Sequence, residues 1–291
     1  MKLEIVETVP LRFEGGPAAA GEYVLSPYAY AAGREIIVRA VPRRDDDPAQ
    51  KISRAFRGRS SDRVAFALDD APLLVPGPDD VDRGGVEDPT VVEDGDRITV
   101  FYSGWDPAAQ RSTLLRADGP RSGALVKRGP VFAGASAPQA KEATLVRRDS
   151  GWTMFFEVER EASLNGSATA PSLAGPWTIG DDVLHPRPDH FDSWHLSPVA
   201  FVTSPDGTRV LIYNGADREG RWQIGWCALD QNCARVLERP REPIVRASRN
   251  APDQRELAFG ASVIERDGLL DLYYSIGDTD PARATLCWRD M

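Results

Sequence analysis

Acidic side chains recur near the ends of β-rich segments, beside aromatic and hydrogen-bonding residues. Glu87, Asp88, Glu142 and Glu157 are of this kind, and Lys141 precedes Glu142. Two carboxyl groups on opposite sides of a glycosidic bond can act as general acid and general base, while further carboxylates and aromatic rings hold the sugar. Crowded carboxylates also raise one another's pKa, which a general acid working near neutral pH needs. These residue types predict carbohydrate chemistry, provided that the fold brings them together.

Five segments share one plan that would position such residues. Each has a β-rich run, a tight turn that carries a glycine, and an aromatic or β-branched run that ends in polar residues. The turn glycines, about 56 to 62 residues apart, are Gly33, Gly95, Gly151, Gly207 and Gly268. This period is longer than that of solenoid repeats and suits four-stranded propeller blades. We therefore predict an all-β fold, a five-bladed β-propeller that occupies residues 1–291 as a single domain.

The local chemistry of the repeats agrees with β-hairpins. Asp94-Gly95 and Asp206-Gly207 are hairpin turn dipeptides, and runs such as Ile98–Tyr102 combine β-branched and aromatic side chains. No stretch shows sustained helical periodicity. A β-sandwich is the alternative fold, but sandwiches lack internal repeats of this size.

In a propeller, the start of each innermost strand and the end of the second strand lie on one face. The starts of the first strands predict as pocket residues Ser26, Glu87, Asp88, Lys141, Glu142, His195, Ser197 and Phe259. The ends of the second strands add Arg39, Ser103, Trp105, Asp106, Glu157, Glu159, Asn214, Asp217 and Asp278. We therefore expect a single pocket rich in carboxylates at the channel mouth.

Several of these residues also have an ordinary structural interpretation. Asp88 could cap the turn before Pro89, and Arg39 and Glu157 could be exposed strand ends. Trp105 could stack on a sugar or pack on the adjacent blade. The remaining tryptophans near strands are predicted to pack between blades, namely Trp152, Trp177, Trp222, Trp226 and Trp288.

All three histidines lie in one proline-rich loop, at His185, His190 and His195, together with Asp189 and Asp192. Imidazole and carboxylate are common zinc ligands, but this spacing fits no standard metal motif. The sequence predicts no metal site and no cofactor. His195, at the start of the fourth blade, is instead predicted to contact substrate.

Four segments carry a resemblance to a known family: GGVEDPTVV, KEATLV, WHLSPV before LIYNGAD, and FGASVIERDGLLDLYYSIGDTD. They resemble the blade signatures of glycoside hydrolase family 130, the mannoside phosphorylases and mannosidases, and more distantly those of families 32, 43 and 68. The resemblance implies that Asp88 is the proton donor and that Lys141 matches a lysine that helps to hold phosphate. It also implies that Asp217 and Asp278 contact sugar.

The departures from this family pattern bear on the nucleophile. Thr90 stands where phosphorylases have Arg, Asn214 where they have His, and Glu157-Val158-Glu159-Arg160 where they have Arg-Asn. The loss of cationic phosphate ligands favours water as nucleophile. We expect an inverting glycoside hydrolase in which Glu142 or Glu157 is the base. The alternatives are a phosphorylase, and a propeller recruited to sugar binding or non-hydrolytic chemistry, since Ser26 replaces the acid that furanosidases carry.

Composition narrows the partners and the compartment. The net charge of −9 argues against a nucleic-acid binder. The first residues, MKLEIVETVP, do not form a signal peptide, and no run is long enough to span a membrane. Cys227, Cys233 and Cys287 lack a C-x-x-C pair and suit reduced thiols. We expect a cytoplasmic protein whose partner is a small saccharide or glycoside, with the oligomeric state left open.

Overall fold

The computed structural model describes residues 2–42, 52–134, 137–158 and 161–289. Glu159 and Arg160, singled out above, lie outside these ranges. Across the described ranges, the chain forms five sheets, each with four antiparallel strands, and one sheet has a fifth strand that pairs in parallel at its edge. No helix in these ranges is long and apolar enough to cross a membrane. The predicted five-bladed β-propeller is confirmed.

The strands in chain order are β1 (Lys2–Pro10), β2 (Arg12–Glu14), β3 (Tyr23–Tyr30), β4 (Glu35–Val41), β5 (Arg54–Arg59), β6 (Ala65–Leu68), β7 (Gly85–Asp94), β8 (Arg97–Asp106), β9 (Arg111–Pro120), β10 (Val126–Pro130), β11 (Ala140–Arg148), β12 (Gly151–Val158), β13 (Leu164–Ala170), β14 (Thr178–Ile179), β15 (His195–Thr203), β16 (Arg209–Ala216), β17 (Trp222–Leu229), β18 (Val236–Glu238), β19 (Ala258–Arg266), β20 (Leu269–Ile276) and β21 (Asp280–Arg289). Helical structure is confined to α1 (Gly16–Ala19) and to 3-10 turns at Ala31–Gly33 and Asp80–Asp82 among the described residues.

The blades follow one another along the chain. Blade 1 comprises β3 to β6 with β2 parallel at its edge, and blades 2, 3 and 4 comprise β7 to β10, β11 to β14 and β15 to β18. The glycines predicted to sit in the first hairpin turn of each blade all have positive φ, from 60° at Gly95 to 133° at Gly151. A residue with a side chain adopts such φ values only at a cost, which explains glycine at these positions.

Blade 5 is completed by the opposite end of the chain. β19, β20 and β21 form its inner strands, and β1 pairs with β21 from Lys2 opposite Arg289 to Pro10 opposite Ala282. Leu3 is 4% exposed and packs in the cluster that contains Leu286. The residues before the first repeat therefore close the ring, a role that the sequence patterns had not indicated.

Blades 2 and 4 each have a buried aspartate in the segment before the inner strand, and this aspartate connects that segment to the sheet. In blade 2, Asp82 accepts a hydrogen bond from Tyr102 at 3.2 Å and pairs with Lys127 at 2.5 Å. In blade 4, Asp192 accepts a hydrogen bond from Tyr213 at 2.7 Å and pairs with Arg187 at 2.8 Å. A buried carboxylate needs such partners. The segment that leads to His195 is thereby held against its blade.

Candidate functional site

Each of the five inner strands contains a register shift in its first half. In blades 1, 2 and 3 the residues at this bulge are Ser26, Asp88 and Glu142, with φ of 49°, 44° and 43°. Left-handed backbone is costly for residues other than glycine, and bulges re-aim a side chain out of the regular alternation. All three residues line a cavity of about 20 Å³ at the channel, large enough for about one water.

Ser26 holds the carboxylate of Asp88 from the neighbouring blade. The Ser26 Oγ donates a hydrogen bond to Asp88 Oδ1 at 2.6 Å, and the Ser26 backbone N donates to Ser275 Oγ at 3.3 Å. The partly buried Asp88 carboxyl group is therefore fixed in orientation at the channel mouth.

Glu142 is held in a similar way from the other side. Ser197 Oγ of blade 4 donates a hydrogen bond to Glu142 Oε2, and the Glu142 backbone N donates to Ser103 Oγ at 2.9 Å. Burial raises the pKa of Glu142 well above its ordinary value, and the nearby carboxylates of Glu157 and Asp88 raise it further. Lys141 and the Ser197 hydroxyl oppose this shift. Glu142 therefore keeps a proton to a higher pH than an ordinary glutamate.

Glu157 and Lys141 lie opposite each other in the β11–β12 pair. Lys141 Nζ is 3.5 Å from Glu157 Oε1, and the Glu157 side chain is only 2% exposed. The predicted proximity of Glu157 to Glu142 agrees with the effect of its charge on the Glu142 pKa. Blade 3 thus supplies two acids and one cation to the same rim.

Glu87 and Arg39 form an ion pair between blades 2 and 1. Burial raises the pKa of Glu87 and Asp88 adds to the shift, whereas Arg39 and Lys141 oppose it. Although burial alone would lower the pKa of the Arg39 guanidinium, the carboxylates of Glu87, Asp88 and Asp278 raise it. Arg39 therefore lies among three acids and connects the channel mouth to Asp278.

A larger polar cavity lies beside this ion pair, between blades 1 and 5. It measures about 580 Å³, and its lining includes Arg39, Asp278, Tyr23 and Arg255. Cavities of 300 Å³ or more with converging polar groups are typical of small-molecule sites. Arg39 and Asp278, predicted separately from the ends of two strands, meet in this cavity.

His195 begins β15 and sits among aromatic rings. Its Nδ1 accepts a hydrogen bond from the Ser163 backbone N at 3.1 Å, so the neutral ring carries its proton on Nε2. Its ring centroid lies 4.1 Å from Trp194 and 5.9 Å from Trp222. Trp222, expected to pack between blades, contacts Phe259 of blade 5 and is also partly exposed.

Trp105, by contrast, is packed against its own blade. A Cβ added to Gly84 would come within 2.4 Å of Trp105 Cδ1, and the Gly84 backbone N donates to the Trp105 carbonyl oxygen at 2.8 Å. The indole remains partly exposed. These contacts are with the segment that enters the same blade, not with the adjacent blade, and the sugar-stacking role of Trp105 stays a prediction.

The side chains of Asn214 and Asp217 form hydrogen bonds with other groups of the protein. Asn214 is fully buried; its Nδ2 donates to the Gly260 carbonyl oxygen at 3.0 Å and its Oδ1 accepts from the Gly260 backbone N at 2.7 Å. The Asp217 carboxylate accepts from the backbone N of Glu219 and from Arg221 Nε at 2.8 Å. Asn214 therefore joins blades 4 and 5 instead of facing the pocket, and Asp217 organises its own loop.

The other histidines stay apart from the channel mouth. His190 Nδ1 lies 2.7 Å from the Pro188 carbonyl oxygen, in an exposed groove that also contains Asp217. Among the residues that the structure describes, no group of three or more His, Cys, Asp or Glu side chains is arranged to hold a metal.

The roles of Ser26, Ser103 and Ser197 in holding the acids were missed at the sequence level. One signal could have found two of them, because Ser26-Pro27, Asp88-Pro89 and Ser197-Pro198 repeat at equivalent strand starts. Proline after a residue disfavours regular helix and is tolerated at bulges. In blades 1 and 2 the dipeptide coincides with the bulge, whereas in blade 4 the register shift follows Pro198.

Comparison with known proteins supports the resemblance noted in the sequence. No family model matches the chain. A β-1,2-mannobiose phosphorylase from Listeria innocua is 25% identical over 236 residues, which cover 77% of this chain and 63% of that relative. The sequence match thus spans less than two thirds of that protein's length.

Solved structures share the fold. A glycosyl hydrolase from Bacteroides ovatus superposes with a TM-score of 0.76 at 22% identity, covering 91% of this chain and 84% of the other. The β-1,2-mannobiose phosphorylase from Listeria innocua, in complex with β-1,2-mannobiose, has a TM-score of 0.76 at 18% identity and coverages of 98% and 96%. A third structure comes from the GH130 family of mannoside phosphorylases, a family described as containing hydrolases that target β-1,2 mannosidic linkages in Candida mannan. It has a TM-score of 0.77 at 22% identity and covers 91% of this chain and 84% of the other. The chain is a five-bladed β-propeller that is similar in sequence and fold to glycoside hydrolase family 130 proteins.

Proposed function

We propose that this protein is a glycoside-active enzyme, and specifically an inverting glycoside hydrolase. The observation that carries the proposal is the placement of Asp88 and Glu142 at equivalent bulges of adjacent blades, in left-handed backbone, on one cavity. Strained residues that converge on a cavity are typical of functional sites. Asp88, together with Glu157 of blade 3 on the same rim, supplies the two carboxyl groups that acid–base cleavage of a glycosidic bond requires.

The contacts suggest a role for each acid. Asp88, oriented by Ser26, is the proton donor to the leaving oxygen. Glu157, ion-paired with Lys141, is the base that activates water. Glu142, whose raised pKa keeps it protonated to a higher pH, donates hydrogen bonds to the sugar between them.

The substrate that we propose is a small β-mannoside. Its class comes from the relatives, one named a β-1,2-mannobiose phosphorylase and another described among hydrolases of β-1,2 mannosidic linkages. The polar cavity beside Arg39 and Asp278 has the size and the hydrogen-bonding groups for one sugar ring.

Phosphorolysis is the second candidate, because Lys141 and Arg39 place two cations beside the acids. Two positions argue for water as the nucleophile. Thr90 is buried and its Oγ1 donates to the Ala143 carbonyl oxygen at 2.5 Å, so the position that phosphorylases fill with Arg carries no cation. Asn214 occupies the position where phosphorylases have His, and its amide is hydrogen-bonded to the Gly260 backbone.

Replacing Asp88 by Asn tests the proton donor. The amide is of similar size and can still accept the Ser26 hydrogen bond, but it cannot donate a proton to the leaving oxygen. We expect kcat on β-1,2-mannobiose to fall about 100-fold to 10,000-fold. Asp94→Asn, at the exposed hairpin tip of the same blade, is the matched control. Full turnover by Asp88→Asn would refute the assignment.

The nucleophile is tested by assaying the parent protein with and without inorganic phosphate. Hydrolysis releases mannose at a rate that does not depend on phosphate, and inversion of a β-mannoside releases the α-anomer first, which NMR detects. Formation of mannose 1-phosphate would establish phosphorolysis. Saccharide binding without turnover would identify a sugar-binding propeller.

A further inference from the structure

An unbroken row of aromatic rings runs along the rim of blades 4 and 5. Phe259 contacts Trp222 edge to face, with centroids 5.0 Å apart and planes at 73°. Trp222 stacks on His195 at 5.9 Å and 17°, and His195 contacts Trp194 at 4.1 Å. All four side chains are partly exposed. We call these four residues the aromatic row.

The aromatic row begins at the reacting groups. Phe259 lines the channel cavity together with Asp88 and Glu142. His195 is two residues from Ser197, which donates a hydrogen bond to Glu142. The row is thus continuous with the candidate active site and leads outward from it.

The rings are held in place by polar contacts at their edges. Trp194 Nε1 donates to the Glu161 carbonyl oxygen at 2.8 Å, and the Ser163 backbone N donates to His195 Nδ1 at 3.1 Å. Because the rings also contact one another, the parts of them that remain exposed to solvent form the binding surface. Aromatic faces that are rigid and partly exposed bind ligands with little loss of conformational entropy.

The two flanks of the channel mouth differ in chemistry. The flank at blades 1 and 5 holds the polar cavity of about 580 Å³ with Arg39 and Asp278. Arg39 interacts with Glu87 and Asp88, so the sugar whose anomeric carbon reacts belongs on this flank. The flank at blades 4 and 5 has an aromatic surface, which can pack against the apolar C–H face of a second pyranose.

We propose that the aromatic row is the subsite for the sugar on the leaving-group side of the scissile bond. This inference rests on the proposed function, and it narrows the substrate class to disaccharides and longer glycosides. Compounds with a small leaving group would occupy only the polar cavity. Trp222, at the centre of the row, is the residue on which the leaving sugar stacks.

Trp222→Leu tests the subsite. We expect the dissociation constant for β-1,2-mannobiose to rise about tenfold, the effect of losing one stacking contact. Affinity for methyl β-mannoside should stay within about twofold of the parent value. The KM for β-1,2-mannobiose should rise in parallel, while kcat/KM for β-mannosyl fluoride, whose leaving group is one atom, should be unchanged. Calorimetric titration and initial rates measure these quantities.

Trp152→Leu is the matched control, because Trp152 is partly exposed but lies at the turn end of its hairpin, far along the strand from Glu157. It should alter none of these constants. Unchanged mannobiose affinity in Trp222→Leu would overturn the proposal, as would an equal loss for the disaccharide, the methyl glycoside and the fluoride.

The titration separates this proposal from the proposed function. If the parent binds β-1,2-mannobiose but does not cleave it, the hydrolase assignment fails while the Trp222 affinities still decide the subsite. If the parent cleaves the fluoride normally but Trp222→Leu shows no selective loss for the disaccharide, the subsite fails while the hydrolase assignment stands.

Discussion

At the scale of single residues, the surroundings of Glu142 favour its protonated form. The residue is 8% exposed, and its carboxyl group lies near the charges of Glu157 and Asp88. Removing water from a carboxylate and placing like charges beside it both disfavour ionisation. The Ser197 hydroxyl and Lys141 offset only part of this destabilisation of the carboxylate, because the pKa of Glu142 stays well above its ordinary value. At a pH above this raised pKa, the ionised group therefore weakens the fold.

We expect Glu142→Gln to stabilise the protein while it reduces activity. A carboxyl group with a raised folded-state pKa binds more protons folded than unfolded, so its contribution to stability is lost as pH rises from the unfolded value of about 4.3 through the folded value. The free energy of unfolding in urea should increase by about 0.5–2 kcal/mol at pH 8, as for other single stabilising substitutions. The gain should shrink toward zero near pH 4.

The control for this substitution is Glu238→Gln, on the exposed outer strand of blade 4. It should not change stability measurably at either pH. A Glu142→Gln gain of equal size at pH 4 and pH 8 would show that burial of the charge is not its cause.

At the scale of elements, one bulge repeats around the ring with different contents. In blades 1, 2 and 3 it presents a hydroxyl and two carboxyls to the channel, whereas in blade 5 the equivalent segment contains Gly260. Gly260 leaves room for the Asn214 amide, whose Oδ1 would lie 3.2 Å from a Cβ at that position. The Asn214 amide thus fastens the inner strand of blade 5 to blade 4.

Asn214→Ala should therefore destabilise the protein. It leaves the Gly260 backbone N and carbonyl oxygen without their partner in a dry site, and we expect a loss of about 2–4 kcal/mol in the free energy of unfolding. Asn232→Ala, in an exposed turn of the same blade, should cost no more than about 0.5 kcal/mol. Thermal and urea unfolding measure both; similar costs would contradict the buried-bridge interpretation.

At the scale of the whole molecule, the ring holds its acids in place only if it is closed. Closure depends on β1, which joins residues near the beginning of the chain to β21. The pair buries Leu3 against blade 5, whereas Val6, at the register shift, is 51% exposed. The same strand thus supplies an internal comparison between a buried and an exposed side chain.

We expect Leu3→Ala to lower the free energy of unfolding by about 2–4 kcal/mol, because it opens a cavity in the packed edge of blade 5. Val6→Ala should change it by no more than about 0.5 kcal/mol. Urea denaturation followed by circular dichroism distinguishes the two. Equal, small effects would mean that β1 adds little to the closed ring.

Much of this arrangement follows from periodicities along the chain. The five turn glycines, the hairpin dipeptides and the β-rich runs predicted the number of blades, since turn geometry and strand alternation are local properties. Reading strand starts and ends around the ring also brought Asp88, Glu142 and Glu157 to one rim. The resemblance carried by the Glu-Asp-Pro motif then predicted that Asp88, among these three, is the proton donor.

Other features depended on contacts between segments far apart in sequence, and only the tertiary structure decided them. Asn214 has the position of a pocket residue, but packing between blades 4 and 5 buries it against Gly260. Trp222 belongs to a third strand, whose exposure depends on the neighbouring blade. The pairing of Ser26 with Asp88 spans 62 residues. Sequence alone determined the blades and their rim positions. Packing between blades decided which of the residues at those positions face the channel and which are buried between blades.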